Sequence, residues 1–160
     1  MKPSELIIND QDHEVFNEDI NEVAEKVKGD ILYLDPPYNH RQYATNYHML
    51  ETIAKYDNPK IHGKTGLREY QNQKSLYCSR TKAKKAFADL ISKAKVKYIF
   101  LSYNNEGLMN LDDIKEIMSS RGRYGHFTKE YNRFKADKSE NRNYKANKTV
   151  EYLHYVVCAS

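Results

Sequence analysis

Apolar residues along the chain alternate between the spacing of short strands and that of amphipathic helices. Residues 31–34 and 96–103 are rich in Ile, Leu, Tyr and Phe, and we interpret both as buried strands. Helical periodicity appears over residues 20–28, and Gly29 is expected to end this helix. A second helix is predicted over residues 47–55, and Asn58-Pro59 is expected to end it. A third lies in a lysine-rich segment. In that segment the apolar positions are Ala83, Ala86, Phe87, Leu90, Ile91 and Ala94. Asn110 is expected to cap a further helix, with Gly122 just beyond its end.

The remaining strand-like segments define the expected fold. Residues 14–17 form a short strand candidate, and residues 126–131 and 150–157 are expected to pair antiparallel at the edge of the sheet. Strands that alternate with helices and end in a reversed hairpin predict an α/β fold whose sheet is mainly parallel. At 160 residues the chain is expected to form one domain with a real core.

A tetrapeptide suited to catalysis, Asp35-Pro36-Pro37-Tyr38, directly follows the strand of residues 31–34. An amine on a heteroaromatic ring is a poor nucleophile because its lone pair is delocalised into the ring. The Asp35 carboxylate and the Pro36 carbonyl could accept hydrogen bonds from the two N–H groups of this amine. They would also stabilise the charge that develops during attack. Proline has no N–H, so the rigid pair presents acceptors without competing donors. Tyr38 offers a face on which an extruded base can stack.

A purely structural interpretation of the tetrapeptide is also available. Proline pairs often stop a strand, and an aspartate before them is common in turns. We favour the catalytic interpretation because the tetrapeptide follows a buried strand. Ligands of open α/β sheets bind beyond the carboxyl ends of parallel strands.

With this tetrapeptide the chain resembles the DNA adenine methylases, which transfer a methyl group from S-adenosylmethionine to the amino nitrogen of adenine. The segment Val15-Phe16-Asn17-Glu18-Asp19 resembles the family segment that approaches the cofactor's adenosine. Leu101-Ser102-Tyr103-Asn104-Asn105 resembles its later strand-end motif. Residues 131–134 and 148–153 resemble its closing hairpin, so the resemblance covers nearly the whole chain.

The resemblance implies a cofactor and a set of site residues. The cofactor is S-adenosylmethionine, with Phe16, Asn17 and Asp19 near its adenosine and Asp35 also in contact with it. The substrate is double-stranded DNA with a flipped adenine, and a restriction-modification system is the expected setting. The implied fold is a partial Rossmann-like sheet of S-adenosylmethionine-dependent methyltransferases, mainly parallel with a C-terminal antiparallel hairpin.

Two parts of the family pattern are missing from residues 1–160. These are the glycine-rich turn for the methionine part of the cofactor and the target-recognition segment before the Asp-Pro-Pro-Tyr strand; no glycine precedes Gly29. We therefore expect a single catalytic-domain portion that corresponds to the C-terminal half of such an enzyme. A separate polypeptide carrying the glycine-rich turn is one expected partner.

Positive charge is unevenly distributed along the chain. The formal net charge is +4, residues up to Asp30 are acidic, and residues 80–97 and 121–148 are basic. We interpret the first basic run as a solvated helix face. The second run, which includes Arg133 and Lys135, is either a loop that follows a DNA backbone or merely a charged loop. Arg41 and Tyr43, just after the tetrapeptide, are the other nucleic-acid candidates.

Several other classes of site are not indicated. The six histidines include no close ligand pair, so no metal site is expected. Cys78 and Cys158 are too few for a disulfide framework, and a cytoplasmic location fits. The opening residues lead into only three consecutive apolar residues, so neither a signal peptide nor a membrane span is predicted.

Three alternative functions remain open at this point. The same tetrapeptide chemistry could act on adenine in RNA or on a protein glutamine. The chain could instead be an inactive fragment or one subunit of a split methyltransferase. It could also be a non-catalytic nucleic-acid-binding module.

Overall fold

The structure is a computed structural model, and it describes residues 10–132 and 148–159. Among these residues are five α-helices and six strands, and the last two elements are both strands. The helices are α1 (Ile20–Lys26), α2 (Tyr43–Asn46), α3 (His48–Lys55), α4 (Ala83–Lys93) and α5 (Leu111–Ser119). The strands are β1 (Ile31–Leu34), β2 (Ile61–His62), β3 (Leu67–Arg68), β4 (Tyr98–Asn104), β5 (Gly122–Asn132) and β6 (Lys148–Cys158).

The main sheet has four strands in the order β1-β4-β6-β5. Strand β1 is parallel to β4, with Leu34 opposite Leu101. Strand β6 is antiparallel to β4 on one side and to β5 on the other. The α/β class is confirmed, but the expectation of a mainly parallel sheet is wrong. The reason is that β6 lies between β4 and β5, so two of the three strand pairs are antiparallel.

One face of this sheet carries the hydrophobic core. Ile99, Leu101 and Tyr103 on β4 share this face with Val156 on β6, and all four side chains are buried. Helices α1, α4 and α5 cover it with the buried side chains of Ala24, Phe87, Leu90, Ile91, Ile114, Ile117 and Met118. As predicted, the lysines of α4 lie on its outer side, where Lys84 and Lys93 form ion pairs with carboxylates.

The opposite face of the sheet is open to solvent and carries several large apolar side chains. Among the described residues, no helix covers it, and its large side chains remain exposed. They are Ile31 and Tyr33 on β1, Tyr98 on β4, Phe127 on β5 and Leu153 on β6. Parallel strands usually occur in sheets that are covered on both faces. We call these five residues the open face.

The boundaries of several elements differ from the expectations. Residues 14–17 form no strand, and Val15 is 95% exposed, so this segment has neither a pairing partner nor a core to pack on. Helix α1 ends at Lys26 because Val27 turns extended (ψ 138°). Helix α3 ends where Tyr56 enters the left-handed region (φ 49°), before Asn58-Pro59.

The predicted cap of α5 is confirmed. The Asn110 side chain accepts a hydrogen bond from Asp113 N at 2.8 Å, and the Asp113 carboxylate accepts one from Asn110 N. Residues 122–132 and 148–158 form the predicted antiparallel pair, over longer spans than expected. In residues 10–132 and 148–159, no helix is both long and apolar enough to span a membrane.

The segment between α3 and α4 contains a small ordered hairpin. Strands β2 and β3 pair antiparallel, and two 3-10 helices follow at Gln71–Gln73 and Leu76–Cys78. The buried Arg68 of β3 donates to the Asp57 carboxylate at 2.5 Å and to the Thr52 hydroxyl at 3.4 Å. These contacts attach the hairpin to α3.

Candidate active site

The tetrapeptide Asp35–Tyr38 begins where β1 ends, beside the end of β4. The Tyr38 carbonyl accepts a hydrogen bond from Leu108 N at 3.1 Å, which joins the loop after β1 to the loop after β4. The buried Tyr103 hydroxyl accepts from the same N–H at 3.0 Å. The ends of the two parallel strands are therefore held next to each other, in the position where α/β sheets bind ligands.

A cleft of about 1080 Å³ opens at this strand end. Asp35, Pro36 and Pro37 line it, together with Asn17 and Asp19 from the segment before α1. Residues 71–78, which contain the two 3-10 helices, are called the 3-10 segment. Much of the remaining wall comes from residues 43–54 and from this segment, namely Tyr43, Ala44, Tyr47, Leu50, Glu51, Ala54 and residues 72–77. The structure thus brings two separately predicted groups of residues into one cleft.

Some predicted site residues lie outside this lining. Tyr38 (42% exposed) and Phe16 (44% exposed) are on the surface, and neither is among the residues that line the cleft. Arg41 is also exposed and outside the lining. Arg133 and Lys135 lie outside the described residues.

The Asp35 side chain is exposed and has no fixed partner. Within the part of the chain that the structure describes, its carboxylate accepts no hydrogen bond and forms no ion pair. The neighbouring acids of the cleft wall are engaged, because Glu18 pairs with Lys26 at 2.6 Å and Glu51 with Lys55 at 2.7 Å. Asp35 is therefore the carboxylate in the cleft wall that is most available to a ligand.

Asp19 caps helix α1 and also lines the cleft. Its Oδ1 atom accepts a hydrogen bond from Asn21 N at 2.8 Å and so caps α1. This cap fixes the segment Asn17–Asp19 at the start of the helix. The second carboxylate oxygen of Asp19 makes no hydrogen bond to any residue that the structure describes.

A polar network in the wall of the cleft was not predicted from the sequence. The Tyr77 hydroxyl donates to Asn21 Oδ1 at 2.9 Å, and Asn21 Nδ2 donates to Ala86 O and to Asp89 Oδ2. Burial raises the pKa of Tyr77, and the nearby charges of Asp19 and Asp89 raise it further. Tyr77 therefore stays a neutral donor and joins the 3-10 segment to α1.

The loop after the tetrapeptide is attached to the same 3-10 segment. Gln42 Oε1 accepts from Ser75 N at 2.8 Å, and Gln42 Nε2 donates to Ser75 O at 3.3 Å. The Cys78 thiol donates to Arg41 O at 3.3 Å. These contacts fix the loop that carries Arg41 and the start of α2.

Comparison with known proteins identifies the family of the chain. The family model of the D12 class N6 adenine-specific DNA methyltransferases matches residues 2–117. The chain is 52% identical over 154 residues to the type II methyltransferase M.NlaIII of Neisseria lactamica, which covers 96% of this chain and 46% of that protein. No solved structure matches the chain.

Two further relatives extend the comparison. The type II methyltransferase M.FokI of Planomicrobium okeanokoites is 46% identical over 147 residues, which cover 90% of this chain and 22% of that protein. M.CviAII of Paramecium bursaria Chlorella virus 1 is 35% identical over 145 residues, covering 89% and 41%. The chain thus spans less than half the length of each of these relatives. By the family match and these identities, the chain belongs to the D12 class of N6 adenine-specific DNA methyltransferases.

Proposed function

We propose that this chain carries the amine-binding part of an enzyme that transfers a methyl group from S-adenosylmethionine to the exocyclic amine of adenine in DNA. The observation that carries the proposal is the exposed, unpaired Asp35 carboxylate next to Pro36 in the wall of the cleft. Family membership supports the reaction class. The names of the relatives, type II methyltransferases and modification methylases, support a role in restriction-modification.

The reaction requires two hydrogen-bond acceptors for one amine at the end of β1. Asp35 would accept one N–H and the Pro36 carbonyl the other, which localises the nitrogen lone pair and stabilises the positive charge of the transition state. Neither Pro36 nor Pro37 can donate a backbone N–H into this position. The acceptors are therefore presented without competition.

The residues that line the cleft fit S-adenosylmethionine, which carries a methyl group on a cationic sulfonium. The charged lining side chains are four acids, Glu18, Asp19, Asp35 and Glu51, and one base, Lys74. Glu18 and Glu51 are paired with lysines, so Asp19 and Asp35 are the lining acids that form no ion pair with a described residue. Carboxylates of this kind attract a cationic ligand. Asn17 and Asp19 would hold the nucleoside hydroxyls, and Asp35 would also contact the cofactor.

The DNA would be bound around the mouth of this cleft. An adenine extruded from the duplex would bring its amine to Asp35, with Tyr38 and Tyr43 as stacking residues and Arg41 at a phosphate. Arg133 and Lys135 remain candidates for further backbone contacts. Both cysteines are free thiols, and together with a DNA substrate they support a cytoplasmic location.

The open face of the sheet supports a role for a further polypeptide segment. Among residues 10–132 and 148–159, β1 pairs with β4 alone in the main sheet, and no described strand occupies its other edge. Exposed side chains such as Ile31 and Phe127 would gain from being covered. We propose that a segment with the glycine-rich cofactor turn, for instance on a separate polypeptide, packs here and completes a Rossmann-like sheet.

A reconstitution experiment tests this proposal. The chain is incubated with radiolabelled S-adenosylmethionine and mixed-sequence duplex DNA, first alone and then with a candidate segment that carries the glycine-rich turn. We expect label in N6-methyladenine in the second mixture. Label in RNA or protein but not in DNA would contradict the substrate, and salt-dependent DNA binding without any transfer would indicate a binding module.

A further inference from the structure

Two tyrosines in the wall of the cleft are stacked on each other. The rings of Tyr43 and Tyr47 have centroids 5.7 Å apart and planes only 4° from parallel. They occupy positions i and i+4, and Tyr47 N donates to Tyr43 O at 2.9 Å. Both side chains are about half exposed, at 51% and 53%. An exposed aromatic pair of this kind leaves ring surface available for a third ring.

The stacked pair is held from its N-terminal side. Gln42, the residue before α2, makes its two hydrogen bonds to the backbone of Ser75. The Thr45 hydroxyl donates to Gln42 O at 2.7 Å and closes the first turn. The backbone that carries Tyr43 is therefore tied to the facing 3-10 segment, so the pair is a prearranged surface.

The pair faces the same cleft as the tetrapeptide. Tyr43 and Tyr47 line it with Asp35 and Pro36, whereas Tyr38 does not. The pKa of Tyr43 is raised by burial and then by the charges of Tyr38 and Asp35. Tyr43 is thus electrostatically close to the carboxylate that would accept the amine.

We propose that Tyr43 and Tyr47 form an aromatic wall on which the extruded adenine of DNA stacks while its amine reaches Asp35. This inference rests on the proposed function and adds Tyr47 as a positioning residue. Stacking a base on an aromatic side chain is worth about 1–3 kcal/mol, enough to hold an unpaired base.

The position of the pair favours the DNA base over the cofactor's adenine. The expected adenosine contacts, Asn17 and Asp19, belong to the segment before α1. The two tyrosines instead belong to the segment that follows the tetrapeptide, and Tyr43 is the fifth residue after Tyr38. Because Asp35 also interacts electrostatically with Tyr43, a base held at Asp35 would lie near this pair.

The test measures base stacking separately from phosphate binding. The chain is titrated with a fluorescent single-stranded oligonucleotide of adenines and with one in which abasic residues replace the adenines, so that only the rings differ. We expect wild type to prefer the adenine oligonucleotide by about tenfold. Tyr47→Ala should lose most of this preference, while Tyr47→Phe should keep it. Tyr56→Ala, at a 94% exposed tyrosine outside the cleft, is the matched control.

The outcomes separate this inference from the proposed function. No preference in wild type, or an unchanged preference in Tyr47→Ala, would overturn the aromatic wall. Loss of the preference on addition of S-adenosylmethionine would assign the wall to the cofactor and also overturn it. The proposed function is judged independently, by whether label transfer in the reconstituted assay depends on Asp35.

Discussion

The ring of Tyr103 occupies the space that a side chain at position 107 would need. A Cβ atom added to Gly107 would lie 2.1 Å from Tyr103 Cε1 and 2.6 Å from Cζ. The Tyr103 hydroxyl in turn accepts hydrogen bonds from Leu108 N and Met109 N. Since Leu108 N also donates to the Tyr38 carbonyl, the packing of Tyr103 on Gly107 positions the loop that contacts the tetrapeptide.

Substitution Gly107→Ala should therefore destabilise the fold. Tyr103 is 2% exposed and cannot move aside without disturbing the core. Overpacking of this kind costs about 1–3 kcal/mol of unfolding free energy. Gly29→Ala is the matched control, because no atom lies within 4 Å of the added Cβ. Urea unfolding of the two variants measures the difference, and equal stabilities would refute the packing argument.

Removal of the Tyr77 hydroxyl should weaken the polar network in the cleft wall. In Tyr77→Phe, Asn21 Oδ1 loses its donor in a partly buried position, and the expected loss is about 1 kcal/mol of unfolding free energy. Tyr56→Phe removes a hydroxyl from a tyrosine that is 94% exposed and should leave stability unchanged. Thermal unfolding of the two variants measures this difference. A Tyr77→Phe variant as stable as wild type would show that the network contributes little to the stability of the fold.

Stability should fall in acid because of His154. The side chain is buried, its Nδ1 atom lies 2.8 Å from the Tyr124 hydroxyl, and burial followed by the charge of His126 lowers its pKa to about 4. The unfolded chain takes up this proton near pH 6.5, so unfolding binds a proton between pH 6.5 and 4. The free energy of unfolding should therefore decrease as the pH falls through this window, by up to about 3 kcal/mol.

A variant isolates this effect from other titrating groups. His154→Leu removes the buried proton site, and Tyr124 keeps His126 Nδ1 within 3.2 Å. Its unfolding free energy should depend less steeply on pH between 6.5 and 4 than that of wild type. His62→Gln, at an exposed position on β2, should retain the wild-type slope. The same slope in His154→Leu would mean that another group causes the acid sensitivity.

Features with a local signal in the sequence were predicted well. Strand β1 is a short apolar run stopped by two prolines, and α5 begins at a capping asparagine followed by acids. The gathering of Asp35 with Asn17 and Asp19 in one cleft also agrees with the resemblance to the family. These features depend on residues close together in the chain or on a family motif that can be recognised directly in the sequence.

Features that depend on distant pairs were missed. Tyr77 and Asn21 are 56 residues apart, and Gln42 and Ser75 are 33 apart, so neither contact leaves a periodic signal. The direction of the sheet was missed for a similar reason, because the position of β6 between β4 and β5 follows from tertiary packing. Residues 14–17 show the reverse error, since a strand-like composition without a partner forms no strand.

We propose that Asp35 accepts a hydrogen bond from the amine of the adenine that is methylated. The most direct measurement is transfer of label from S-adenosylmethionine to DNA by the reconstituted assembly, with wild type, Asp35→Ala and the control Asp112→Asn, an exposed acid in the first turn of α5. We expect Asp35→Ala to abolish transfer of label to DNA, while Asp112→Asn and wild type transfer label at similar rates. Full transfer by Asp35→Ala would contradict it.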